Sequence, residues 1–220
     1  MKTYYRPTGF VLGRDVVRMV RDGDALPLAG MDHVGFTHVD VITRSGGKIE
    51  RDNDVSALGH DPKSAGIAAM AGCPVILMHA QGEPKTMQLQ PKYEDVLLDV
   101  YDGLETRVDA AVAGGIARGH IAIDPGIGFG KTFQQNLELL SGLPLFHGLG
   151  LPLVIGLSRK GFIGALTGEK VAGHRIHGSV GGALESVLLG AHILRVHDVK
   201  ATREALAVFA AAIHPDSADI

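Results

Sequence analysis

The sequence has one cysteine, Cys73, and no second to pair with it, which excludes an internal disulfide framework. It has no apolar run of membrane-spanning length and no charged-then-apolar leading segment, so the expected setting is the cytoplasm, away from any membrane. It also lacks a strongly basic face. Its 21 Lys and Arg against 24 Asp and Glu leave a formal charge of -3, so nucleic acid is not an expected partner. An anionic ligand has to be held locally. What is present is 220 residues with 45% hydrophobic content, enough for one domain, or a domain with an appendage, to bury a full core.

From about Asp61 onward, short continuous apolar runs alternate with longer amphipathic segments, the pattern of parallel strands joined by crossover helices. The runs are PVILMH (Pro74 to His79), IAIDPG (Ile121 to Gly126), PLVIGLS (Pro152 to Ser158) and ILRVHD (Ile193 to Asp198). Between the first two, Val96, Leu97, Val100, Tyr101, Leu104, Val108 and Val112 recur at helical spacing within Tyr93 to Val112, and Gly114 and Gly115 close the helix. Val180, Ala183, Leu184, Val187, Leu188 and Ala191 repeat the pattern, as do Ala205, Leu206, Val208, Phe209 and Ala212. The first 52 residues read differently: Gly13 to Arg21 as a short helix, then Phe36 to Arg44 and Lys48 to Arg51 as a hairpin about SGG. The predicted division is an extension over 1–52, an α/β unit over 53–214 and a frayed tail over 215–220.

Polar residues cluster at the C-terminal ends of the apolar runs: Met78 and His79, then Asp124, then Ser158, Arg159 and Lys160, then Arg195, His197 and Asp198. In parallel α/β folds those ends share one mouth. Asn53 and Asp54 join it if a strand ends there. A carboxylate at Asp124 suits two parallel hydrogen bonds from an amino-heterocycle, and Lys160, Arg195 and His197 suit phosphate. Both a pterin diphosphate and a nucleotide have that form. The stretch DPGIGFGKT (Asp124 to Thr132) invites a nucleotide reading, but counting opposes it. A phosphate loop ending in Gly130-Lys131 needs glycine where Pro125 stands, and the dinucleotide fingerprint needs glycine at Lys131. His79 is read as a satisfied core histidine, Cys73 as a small buried residue, Met78 as lining the pocket or the core, and Lys85 and Lys131 as solvated.

NDVSALGHDP, PVILMHAQGEPKTMQ, IAIDPGIGFGKTFQQNLELL, PLVIGLSRKGFIG and ILRVHDV, in that order, resemble the later part of dihydropteroate synthase. The resemblance implies a transferase of folate biosynthesis on a (β/α)8 TIM barrel. It would join 4-aminobenzoate to 6-hydroxymethyl-7,8-dihydropterin diphosphate and release pyrophosphate, with Mg2+ assisting the leaving group. By the same resemblance Asp124 and Asn53 hold the pterin edge and Lys160 contacts the pterin near the aminobenzoate. Arg195 and His197 stack on the pterin and bind its diphosphate, and Phe129 and Ser158 border the aminobenzoate pocket.

The family's stretches NVTPDSFSD, GGESTRPG and SIDT do not occur before Asn53. With them go the magnesium-binding asparagine, a loop over aminobenzoate and a second pterin-binding aspartate. About five parallel strands with an N-terminal β-hairpin segment are expected in place of a full barrel, and the extension is read as offering no parallel strand in their stead. Open strand edges then imply a homo-oligomer, a dimer. An internal deletion and a paralogue with another role both fit, and the abrupt change at Asp52 and Asn53 favours the deletion. Three roles follow: a working synthase, a non-catalytic pterin-binding module, or an interaction fragment.

Overall fold

The computed structural model describes residues 64–72, 74–82, 87 and 91–213, together with the backbone of residues 18–20, 26–27, 35–36, 40–45 and 48–53. Cys73, Lys85, Asp54 and the tail 215–220 lie outside the described residues.

Five short strands come first: β1 (Arg18–Val20), β2 (Leu26–Pro27), β3 (Gly35–Phe36), β4 (Asp40–Ser45) and β5 (Lys48–Asn53). Then follow α1 (Ser64–Ala71), β6 (Val75–Met78), α2 (Val96–Ala113), β7 (Ile121–Asp124), α3 (Phe133–Ser141), β8 (Val154–Ile155), α4 (Gly161–Thr167), α5 (Ile176–Leu188), β9 (Ile193–Arg195) and α6 (Val199–Ile213). The predicted alternation is therefore present, with β8 shorter than its apolar run.

The apolar runs become strands because both their faces are covered: Val75, Leu77, Met78 and all four residues of β7 are buried. β6 pairs parallel with β7, and β8 pairs parallel with β9. A parallel bridge between Ile123 and Leu153 joins the two pairs. Leu153 is central to this junction, since its carbonyl accepts the N–H groups of His192 and Ile193, and the neighbouring Pro152 carbonyl accepts that of Ile123. Strand ends at Met78, Asp124 and Arg195 consequently face the same way.

α2 starts at Val96, not Tyr93, because Asp95 caps it, its carboxylate accepting the N–H groups of Leu97 and Leu98 at 2.9 and 3.1 Å. Its buried stripe is Val96, Val100, Leu104, Val108 and Ala111. Val112, expected on that stripe, is exposed, as are Leu188 of α5 and Val208 of α6, the last at 72%. α6 turns only Thr202 fully inward, with Leu206 and Phe209 packed partly against the core.

The N-terminal expectation is corrected in two places. Residues 18–20, predicted within a helix, form β1, which pairs in parallel with β9 so that Val20 stands opposite Arg195. A parallel strand is thus supplied from a segment expected to offer none. The hairpin is present, β4 against β5 in antiparallel register from Ser45 opposite Lys48 to Asp40 opposite Asn53. Among the described residues the parallel strands run β6, β7, β8, β9, β1 and do not close into a barrel. No helix among them is long and apolar enough to cross a membrane.

Leu153 is fully buried at the junction of the two strand pairs. Leu153→Ala is expected to cost about 2–5 kcal/mol, read as a lower urea midpoint at unchanged slope.

Candidate functional site at the strand ends

β7 delivers Asp124 to the mouth, 1% exposed. From β9, two strands away, the Arg195 guanidinium crosses and Nη2 donates to Asp124 Oδ2 at 3.0 Å. The crossing passes Gly156, where a Cβ would lie 2.9 Å from both Nε and Nη2 of Arg195. A larger residue there would push the guanidinium off its present path. Arg195 Nη2 also approaches Met78 Sδ at 3.9 Å, and the Gly126 N–H donates to Asp124 Oδ1 at 2.7 Å. Each carboxylate oxygen keeps a further lone pair, so the group can still accept two bonds from a ligand.

The turn after Asp124 folds back on itself. Gly126 has φ +69°, and a Cβ there would strike the His79 carbonyl, which excludes any larger residue. Lys131 was expected in solvent and is instead 3% exposed. Its Nζ donates to Phe129 O at 2.9 Å, Gly126 O at 3.0 Å and His79 O at 3.4 Å, and lies 3.2 Å from His79 Nδ1. The reason is local: glycines leave carbonyls turned inward, and a lysine reaching back satisfies several at once. Tyr93 donates its hydroxyl to Gly130 O at 2.8 Å, and the Asn136 Oδ1 accepts the Gly128 N–H at 2.5 Å. His79 is the buried core histidine that the sequence suggested. Burial, with Lys131 and Arg107 adding to it, pushes its pKa down to about 3.

Lys160 lies beyond β8, at the N-terminal cap of α4. Its Nζ donates to the Ile127 carbonyl and stands 4.0 Å from the Phe129 ring centroid, a cation–π geometry. Burial lowers its pKa to about 7, against the opposing pull of Asp124. Lys131 is lowered to about 7 for the same leading reason. A cleft of about 520 Å³ opens beside them, lined by Phe129, Phe133, Asn136, Lys160 and Phe162 among others.

Ser158, buried at the end of the β8 segment, accepts the His197 N–H at 3.3 Å and lies 3.1 Å from His197 Nδ1. Arg159 grips Asp198 with two bonds, Nε to Oδ2 at 3.0 Å and Nη2 to Oδ1 at 2.5 Å. An open groove of about 1030 Å³ starts at His197 and Asp198 and runs along α6 past Lys200 and Arg203.

Of the sequence-predicted residues, Met78, Asp124 and Arg195 meet directly, Phe129 meets Lys160, and Ser158 meets His197. Asn53 does not end a parallel strand: its backbone closes the antiparallel β5 opposite Asp40, and its side chain lies outside the described residues. Lys131, Tyr93 and Asn136 hold the glycine-rich turn and were not singled out for it. For Lys131 the glycine before it was the available signal. Among the described residues no three His, Cys, Asp or Glu side chains stand together to hold a metal, and Asp124 is already engaged by Arg195. The described residues therefore offer no all-protein cage for magnesium.

A mouth of parallel strand ends presenting one buried carboxylate to several cations defines a strand-end ligand site of the parallel α/β class. A match to the model of the pterin binding enzyme family spans residues 47–197, and the chain belongs to that family. It is 50% identical over 168 residues to the dihydropteroate synthase of Neisseria meningitidis serogroup B, covering 75% of this chain and 59% of that protein. It is 44% identical over 161 residues to the enzyme of that name from Escherichia coli K12, covering 73% and 56%. The crystal structure of dihydropteroate synthase from Stenotrophomonas maltophilia with active site-bound imidazole superposes at a TM-score of 0.71 with 43% identity, covering 73% of this chain and 60% of that one. The chain thus spans somewhat under two thirds of the length of these relatives.

The lowered pKa values make stability depend on pH. Below pH 6.5 the unfolded chain takes a proton at His79 that the folded chain refuses down to about pH 3, so stability falls with acid across that window. Between about 7 and 10.5 the unfolded chain holds protons that folded Lys131 and Lys160 release, so stability from these groups rises with pH. Lys131→Met should remove about half of that alkaline contribution, since two lysines share it. Thermal melts from pH 6 to 10 on both proteins measure the change in slope.

Proposed function

We propose that this chain carries the pterin-diphosphate site of a dihydropteroate synthase and acts as a transferase of folate biosynthesis. The reaction condenses 6-hydroxymethyl-7,8-dihydropterin diphosphate with 4-aminobenzoate and releases pyrophosphate. The carrying observation is the buried Asp124–Arg195 pair at adjoining strand ends, with Lys160 and Phe129 beside it at the cleft.

Asp124 uses its remaining lone pairs for the N–H edge of the pterin, and Lys160 contacts the pterin from the next strand end. Arg195 and His197 take the diphosphate, which is both binding group and leaving group. The amine of 4-aminobenzoate is a weak nucleophile, so rate depends on departure of the diphosphate and on stabilising the cationic methylene-pterin it leaves. Cations at Arg195 and His197 favour the first, and the Asp124 carboxylate favours the second. Phe129 and Ser158 border the place of the aminobenzoate, and Met78 lines the pterin side. Solved dihydropteroate synthases from Xanthomonas albilineans, in complex with 7,8-dihydropteroate and with 4-aminobenzoic acid, support this reading through 41–42% identity. Magnesium belongs to the family's expected chemistry, where it would assist departure of the diphosphate.

The division into an extension over 1–52, the synthase-like unit over 53–214 and a tail over 215–220 is part of the same proposal, as is self-association into a dimer through open strand edges. A second reading is a pterin-binding module without turnover, which the Asp124–Arg195 pair and the cleft beside Lys160 support equally.

Two measurements separate the readings. Purified protein with magnesium should convert 4-aminobenzoate to dihydropteroate, and absence of product at high protein concentration leaves only binding. Calorimetry with the pterin diphosphate should show Asp124→Ala binding at least about tenfold more weakly, the loss of one charge-assisted bond. Matching traces would remove both readings.

A further inference from the structure

Two consecutive residues on one strand-end loop hold two consecutive residues on the next. Ser158 Oγ takes the backbone N–H of His197, and the Arg159 guanidinium closes on the Asp198 carboxylate through two bonds. Arg159 itself is in a strained state: among the described residues it is the one non-glycine with positive φ, at +60°. That conformation is held from two further directions. Its N–H donates to Ser179 Oγ at 2.8 Å, and its carbonyl accepts Arg175 Nη1 at 2.9 Å, both from the start of α5. Ser179 is buried, and its hydroxyl in turn donates to Arg175 O at 2.6 Å. A backbone held in a left-handed state by two side chains, next to a site, marks a position where geometry is imposed.

We propose that Arg159 and Asp198 are positioning residues, a paired clamp that sets the separation of the two strand-end loops and so places Lys160 and His197 for the ligand. The inference rests on the pterin-diphosphate reading for what is bound. The clamp itself does not touch the ligand: Arg159 turns both its bonding nitrogens toward Asp198. Its neighbours do the contacting. Lys160 follows Arg159 directly, and His197 precedes Asp198 directly, so any change in the gap between the loops moves a cation on each side of the mouth. A bidentate guanidinium–carboxylate pair fixes both distance and plane, which a lysine in the same place does not.

The test uses the full chain, with Asp198→Asn and Arg159→Lys. Hydrogen exchange measures the clamp without any ligand. In both variants the backbone amides of 157–161 and 196–200 should exchange together about tenfold faster, while those of α2 and α3 stay at the parental rate. Calorimetry then compares 6-hydroxymethyl-7,8-dihydropterin with its diphosphate. Asp198→Asn should lose about tenfold in affinity for the diphosphate and about half that factor for the pterin alone, because the pterin loses only the placement of Lys160 and keeps Asp124, whereas the diphosphate form loses the placement of both Lys160 and His197. Arg159→Lys should fall between parent and Asp198→Asn. Exchange that speeds up throughout the chain, or loss of both ligands equally, would show a general structural role and overturn the proposal. Unchanged exchange in both loops overturns it as well. If the parent protein binds neither ligand, the pterin reading fails, and the coupled loop exchange still decides the clamp.

Discussion

Much of this site follows from one contact, the ion pair between Asp124 and Arg195. A carboxylate buried to 1% exposure needs a partner, and leaving it alone would cost several kcal/mol. The partner comes from two strands away, so the strand between must be bare where the guanidinium crosses. Gly156 is that gap, and regular β8 ends just before it, at Ile155. The same pair sets the field for its neighbours. Lys160 is drawn toward its charged form by Asp124 and away from it by Arg195, and burial decides the balance.

The turn that follows Asp124 shows a second use of buried polarity. Its glycines free the backbone to double back under His79, and the price is a set of inward carbonyls. Lys131 satisfies three of them from a single nitrogen, so the residue that looks like a phosphate-binding lysine is committed to the protein itself. Phe129 is thereby held with its ring against Lys160, at the rim of the cleft. Lys131 inside the turn thus meets three carbonyls, while Lys160 outside it meets that of Ile127 and the Phe129 ring.

How much of this was legible in the sequence depended on the range of the interaction. Strands β6, β7 and β9 were readable because a continuous apolar run reports burial on both faces. The strand-end positions of Met78, Asp124, Ser158, Lys160, Arg195 and His197 followed from them. Lys131 was misread because its burial depends on carbonyl directions that only the folded turn fixes. Val112, Leu188 and Val208 were misread for another reason: periodicity identifies an apolar face but says nothing of what covers it. Residues 18–20 make the point most sharply. A segment this short has no decisive period, and the open edge of β9 turned it into a strand. Asn53 was placed by family resemblance, yet its backbone pairs within a hairpin, a choice that local antiparallel register made.

The internal pairing of Asp124 with Arg195 also shapes what the site can select. These two charges neutralise each other, so neither is buried unpaired. A ligand that offers only hydrogen-bond donors must share Asp124 with Arg195, and one that offers only phosphate must share Arg195 with Asp124. Each gains one interaction while weakening another. A ligand that carries both ends loosens the internal pair once and replaces it at both termini, which makes its affinity exceed what its halves bring separately. Selection for a ligand that carries both ends, over either piece, then needs no residue beyond the pair itself.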